Sequence, residues 1–205
     1  MKKFIKFVAV ILLLVLAFWL GTVATDKAHL SNGVLRLHVV AASDSDEDQA
    51  LKLKVRDAIN EELDSLMDEF SDMESAKNYL QEQLPMLERI ANQTLKEAGS
   101  SHKATVSLMR EPFPAREYDT FVLPAGIYEA VRVTIGAGEG RNWWCVVFPS
   151  LCVSATSDEF ADAAAGAGFS DPLTGALTGR EEYRVRFFIL DCIGWVENWI
   201  YDKIT

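Results

Sequence analysis

The sequence predicts an α+β fold: a mainly antiparallel sheet with two or three helices packed on one face, preceded by an N-terminal signal or anchor helix. Three observations carry this expectation. Apolar residues alternate with period two at Leu35, Leu37 and Val39, and again in "KATVSLMR" and "IYEAVRVTIG". Between Leu51 and Leu84 they recur at helical spacing instead. Before both lies a basic start followed by a long apolar run.

That N-terminal run comes first in the chain. Lys2, Lys3 and Lys6 lead into Phe7–Leu20, and Gly21-Thr22-Val23-Ala24-Thr25 follows, which is the layout of an export signal. Thr22 and Ala24 offer the small residues of a cleavage site. Phe4–Ala24, with Lys6 snorkelling, is also nearly long enough to cross a bilayer uncleaved. Both fates stay open, so residues 1–25 are a signal peptide or a membrane anchor. The lysines place the N-terminus on the cytoplasmic side and the rest outside. Residues 33–205 then form a single extracytoplasmic domain.

Within it, Val34–Ala41 reads as a strand, with His38 as a polar outward residue. Ser43, Asp44 or Ser45 caps a helix whose apolar stripe runs from Leu51 through Val55, Ile59 and Leu63 to Phe70. Ser71 and Glu74 form a capping box for a second helix, and Pro85 predicts a break or kink before a third piece ending at Gly99. Lys103–Arg110 is a strand, Pro112 and Pro114 mark irregular chain, and "YDTFVLPAG" is a short extended piece. Next, Ile127–Gly136 and Asn142–Phe148 read as two strands of an antiparallel hairpin around a glycine turn. Residues 154–179, rich in Ala and Gly and without periodicity, read as a mobile excursion. Glu181–Leu190 reads as a strand running into a short helix around Ile193–Ile200.

Charge limits the partners. Lys2, Lys3 and Lys6 belong to the leader, so 17 of the 20 Lys and Arg residues face all 30 carboxylates, a formal −13. Such a domain repels nucleic acid and anionic headgroups. The membrane is met through the N-terminal segment.

The chemical motifs are mostly incomplete. Gly136, Gly138 and Gly140 resemble half of a dinucleotide fingerprint. Arg141 stands where the third glycine belongs, and "NWWCVVF" replaces the required helix, so the glycines read as turn chemistry. Asp44, Asp46 and Asp48 have calcium-loop spacing, but Gln49 and Val55 occupy the glycine and glutamate positions. The acids read as a helix start and no metal is expected. Three histidines without ligand spacing and no Gly-x-Ser-x-Gly elbow leave catalysis little to build on; Cys145 with His38 or His102 is formally available, but a mid-strand cysteine of an exported chain is more often oxidised or buried. No enzyme and no cofactor are expected.

Cys145 and Cys152, with six residues between them, Pro149 included, are spaced for a local disulfide in an exported chain. Cys192 is left over, and its role stays open. Trp143 and Trp144 adjoin on a strand and must point to opposite faces. Arg141, Asn142, Trp143 and Trp144 are therefore the candidate partner-binding residues.

"LHVVAASDSDEDQALKLKVRDAI", followed far downstream by "LPAGIYEAVRVTIGAGEGRNWWCVVFPSLC", closely resembles the stage II sporulation protein R family of endospore-forming bacteria. The resemblance spans roughly Val34–Val153 and returns more weakly in "EEYRVRFFILD". Ser150, where a second proline is common, and the Ala/Gly-rich insert depart from the pattern. The resemblance implies a signalling protein made in the forespore and exported to the intermembrane space. There it would activate a membrane-embedded protease that processes the precursor of the mother-cell sigma factor E. The competing readings are a cell-wall or glycan-binding module, with the tryptophans as stacking platforms, and an exported enzyme.

Overall fold

A computed structural model describes residues 1–67, 70, 72–118, 121–148, 164–166, 168–180 and 184–204. The chain opens with α1 (Lys2–Gly33), β1 (Leu35–Val40), α2 (Asp46–Met67) and α3 (Met73–Glu97). Strands β2 (Ala104–Phe113), β3 (Arg116–Glu117), β4 (Val122–Leu123), β5 (Gly126–Ile135) and β6 (Asn142–Phe148) follow. Two further helices are α4 (Asp171–Leu177) and α5 (Arg184–Ile204).

The main sheet has the order β2-β5-β1-β6, and β3 pairs with β4 beside it. Two of its three pairings are antiparallel, β2 with β5 and β1 with β6; β1 and β5 run parallel. The fold is thus α+β with a mixed sheet. Leu35, Leu37, Val39, Val131, Val133 and Cys145 turn one face toward α2 and α3, where they meet Val55, Ile59, Leu63, Leu80, Leu87 and Leu95. This is the face the helical periodicity predicts.

The opposite face is covered as well. Tyr128, Ala130, Phe113 and Val146 pack with Val23 and Leu30 of α1, Leu173 and Leu177 of α4, and Leu190 of α5. Every residue of β1 is consequently buried. His38, expected to point outward, is 7% exposed, and Arg36 is fully buried. Arg36 lies over the rings of Phe113 and Tyr128 and donates to Tyr118 Oη at 2.7 Å, while Nε and Nη1 find no partner among the described residues. Burial pushes its guanidinium pKa down.

Several local expectations are corrected. β5 and β6 are no hairpin, because β1, apolar enough to be buried on both sides, occupies the slot between them. The glycine loop instead crosses the carboxyl end of β1. Gly140 N–H donates to Ala41 O at 2.9 Å, and a Cβ on Gly140 would collide with the Ser43 carbonyl. Gly136 and Gly138 take left-handed φ of 57° and 66°. Pro85 sits inside an unbroken α3; buried residues on both sides of it offset the roughly 3 kcal/mol that an interior proline costs. Asp72 rather than Ser71 caps that helix, accepting from Ser75 N–H. Pro112 belongs to β2, which tolerates it as an edge strand.

The C-terminal correction is larger. Residues 184–204 form a helix where a strand was expected through Leu190. Leu190 and Gly194, one turn apart, face the core, and Gly194 lets the helix backbone touch the Ala125 carbonyl. Asp191 Oδ1 accepts from Ala125 N–H at 2.7 Å. Residues 168–179, inside the stretch read as a mobile excursion, include α4. Ser170 caps this helix, which buries Leu173, Ala176 and Leu177.

Candidate partner-binding site at the carboxyl end of β1

The register of β6 on β1 sets Asn142 opposite Val40, Trp143 opposite Val39 and Trp144 opposite His38. Arg141 and Asn142 therefore stand at the carboxyl end of β1, away from the end that α1 enters. The start of α2 holds this corner. Arg141 N–H donates to Asp44 Oδ1 at 2.7 Å, and Lys52 Nζ donates to the Arg141 carbonyl at 3.1 Å. The Arg141 side chain itself is two-thirds exposed, and its 3.6 Å pair with Asp44 is a surface one. Burial, then the neighbouring charges of Arg141 and Arg56, lowers the Lys52 pKa.

Among the described residues no group of three or more His, Cys, Asp or Glu side chains is placed to hold a metal ion, and Asp44 and Asp48 are engaged with separate partners. Asp48 accepts from Ser43 Oγ at 2.5 Å and lies 3.1 Å from His102 Nε2. The Ser43 hydrogen bond is the first cause that holds its carboxyl below the ordinary value. Ser45 Oγ accepts from Asp48 N–H, the side-chain cap of α2.

The two tryptophans take opposite faces. Trp143 is 37% exposed and lies under the Arg56 guanidinium of α2, 4.2 Å from its centroid. Trp144 is half-buried on the other face, with Arg116 of β3 at 4.0 Å above its ring. Each cation–π contact of this kind contributes on the order of 0.5–1 kcal/mol at a partly exposed site.

Beneath Trp144 lies a polar relay across four strands. His38 stacks on Trp144 at 5.7 Å, donates from Nδ1 to Glu111 Oε1 at 2.8 Å, and places Nε2 2.9 Å from Asn142 Oδ1. Arg132 Nη1 donates to the other Glu111 oxygen at 2.8 Å. Glu111 is 4% exposed, so its charge is matched inside the protein by Arg132 and shared with His38. The relay fixes Asn142 from below while Asp44 and Lys52 fix Arg141 from the side. Both Glu111 oxygens and both His38 nitrogens are engaged within the relay.

Cys145 is buried on the α2 face of β6, and Cys192 is free and exposed on α5. Cys152, its expected disulfide partner, and Pro149 lie outside the described residues. Sequence reasoning placed Arg141–Trp144 together and missed His38, Glu111, Arg132, Arg116 and Arg56. The available signal was the pair Arg36 and His38, polar residues at alternate positions of an otherwise apolar strand.

Residues 31–158 match the family model described as stage II sporulation protein R (spore_II_R). The chain belongs to this family. It is 36% identical over 160 residues to stage II sporulation protein R of Bacillus subtilis (strain 168), covering 74% of this chain and 71% of that protein. No solved structure matches. The matched region includes β1, α2, α3 and the whole sheet, and hence all of Arg141–Trp144 with the relay beneath them. Stage II sporulation protein R membership leaves α5 outside that region.

Proposed function

We propose that this chain is an exported sporulation signal that works by binding rather than by catalysis. Its target is a membrane-embedded protease that processes the precursor of the mother-cell sigma factor E. The reading rests on family membership, and it takes its site from one observation: an exposed Arg141–Asn142 corner clamped by Asp44, Lys52 and His38. A surface held before docking loses less entropy on docking, which suits a ligand acting at low abundance. The long apolar α1 supports delivery to a membrane.

The glycan-binding alternative needs free tryptophan faces, and Arg56 and Arg116 each lie over one. Catalysis would need a nucleophile beside His38, and Cys145 is on the other face of the sheet. The test is co-expression of the protease and the sigma precursor with and without this chain. Precursor cleavage only when the chain is present supports the proposal; cleavage independent of it overturns it.

A further inference from the structure

α5 presents a face that the core does not use. Asp191, Trp195, Trp199 and Asp202 recur at intervals of four, four and three, with Asn198 beside Trp199, so they share one side of the helix. Together with Pro112, Pro114 and Ala115, at the end of β2 and just beyond it, they line an open cleft of about 480 Å³. Trp195 is 65% and Trp199 55% exposed. β2 runs antiparallel to β5, and β5 parallel to β1, so the cleft lies toward the amino end of β1, opposite the Arg141 corner.

The polar chemistry of this cleft is one-sided. Asp191 Oδ1 accepts from Ala125 N–H at 2.7 Å, which fixes the carboxylate and leaves its other oxygen without a partner among the described residues. Neither Asp191 nor the exposed Asp202 forms an ion pair among those residues. Lys27 feels the Asp191 charge but is held by Glu197 and the Ala125 carbonyl. Asn198 spends its amide N–H on the Phe113 carbonyl at 2.8 Å, and its buried Oδ1 finds no partner among the described residues. Apart from the two indole N–H groups, the side chains lining the cleft offer acceptors only. Sugar hydroxyls, which accept as well as donate, would lack donors here. Anionic headgroups and a second copy of so acidic a domain are repelled. A guanidinium meets every requirement: a flat face for an indole, N–H groups for the carboxylates, and the charge they lack.

We infer that the cleft receives an arginine side chain of a partner protein, stacked on the Trp195 and Trp199 indoles and paired with Asp191 and Asp202. Trp and Arg are the residues that most often dominate protein contacts, and Pro112 and Pro114 stiffen the facing wall, so little order is lost on docking. The site is separate from the Arg141 corner, and the inference stands whether or not the protease is the target.

The test uses the full chain in a polyoxyethylene detergent, isotope-labelled at its indole nitrogens and titrated with acetyl-Gly-Ser-Arg-Ser-Gly-amide. Trp195→Phe and Trp199→Phe assign the two signals. The expected result is a saturable shift of both, with Trp19, Trp143 and Trp144 unmoved and no shift from the same peptide carrying alanine for arginine. Asp202→Asn removes an exposed carboxylate that holds nothing in the fold. It should weaken the arginine peptide about tenfold without lowering the melting temperature. Equal shifts from the alanine or the lysine peptide overturn the inference, as does full affinity in Asp202→Asn. Choline bound as tightly as the arginine peptide assigns the cleft to a quaternary ammonium group and also overturns it. Indole shifts that grow with protein concentration alone assign the face to a second copy, with the same consequence. No shift up to the solubility limit of the peptide ends the proposal, and the co-expression assay on the protease is unaffected by that outcome.

Discussion

Asp26 of α1 and Arg186 of α5 form a buried ion pair across 160 residues of sequence, with Arg186 Nε donating to Asp26 Oδ2 at 2.6 Å. Ser170, the cap of α4, donates to the other Asp26 oxygen at 3.1 Å. One carboxylate thus ties together the three helices that cover the second face of the sheet. Removing one partner leaves the other charge buried and unmatched. Asp26→Ala or Arg186→Ala should each cost about 3–5 kcal/mol, whereas Asp26→Leu combined with Arg186→Met should recover most of the loss. Thermal unfolding in detergent measures both; equal losses in the single and double variants would refute the pairing.

The Arg141 corner separates stability from signalling. Arg141→Ala removes an exposed side chain whose backbone stays clamped, so stability should move by less than about 0.5 kcal/mol. Asn142→Ala strips a partner from His38 and should cost about 1–3 kcal/mol. Arg141→Ala is therefore the clean probe. It should lower sigma-precursor processing in the co-expression assay without lowering the melting temperature, and unaltered processing would exclude this corner as the contact.

Acid should loosen the start of α2. The folded-state pKa of Asp48 lies below its unfolded value, chiefly through the Ser43 hydroxyl and then His102. Between the two values the unfolded chain binds more protons, so stability rises with pH there. The contribution is complete above the ordinary carboxylate range and is lost as pH falls through the depressed value. Unfolding followed across the acid range should show Asp48→Asn with a shallower pH dependence than the parent chain. Parallel curves would show that Asp48 is not linked to folding.

Peptide mapping without reduction should find Cys145 joined to Cys152, with Cys192 alone alkylated in the folded protein. The proposed export, the short spacing and the free, exposed Cys192 motivate this outcome. A closed loop of this size contributes on the order of 2–3 kcal/mol, so reduction should lower the melting temperature measurably. A Cys145–Cys192 peptide would overturn the pairing.

The sequence by itself determined what local periodicity and local chemistry can encode. The period-two run of β1, the amphipathic stripe of α2, the left-handed stop at Gly99 and the opposite faces of Trp143 and Trp144 all follow from residues a few positions apart. Tertiary structure alone decided which strand lies beside which, since pairing order depends on burial summed over the whole sheet. β1 enters between β5 and β6 because both of its faces find a cover. The same cause reversed His38 from a solvent-facing residue to the centre of a relay, with Glu111 supplied by a strand 73 residues away. It also made 184–204 a helix. Its residues Phe187, Phe188, Ile189 and Leu190 suit a strand as well as a helix until Ala125, Gly126 and α1 present a surface that only a helix with Gly194 facing inward can meet.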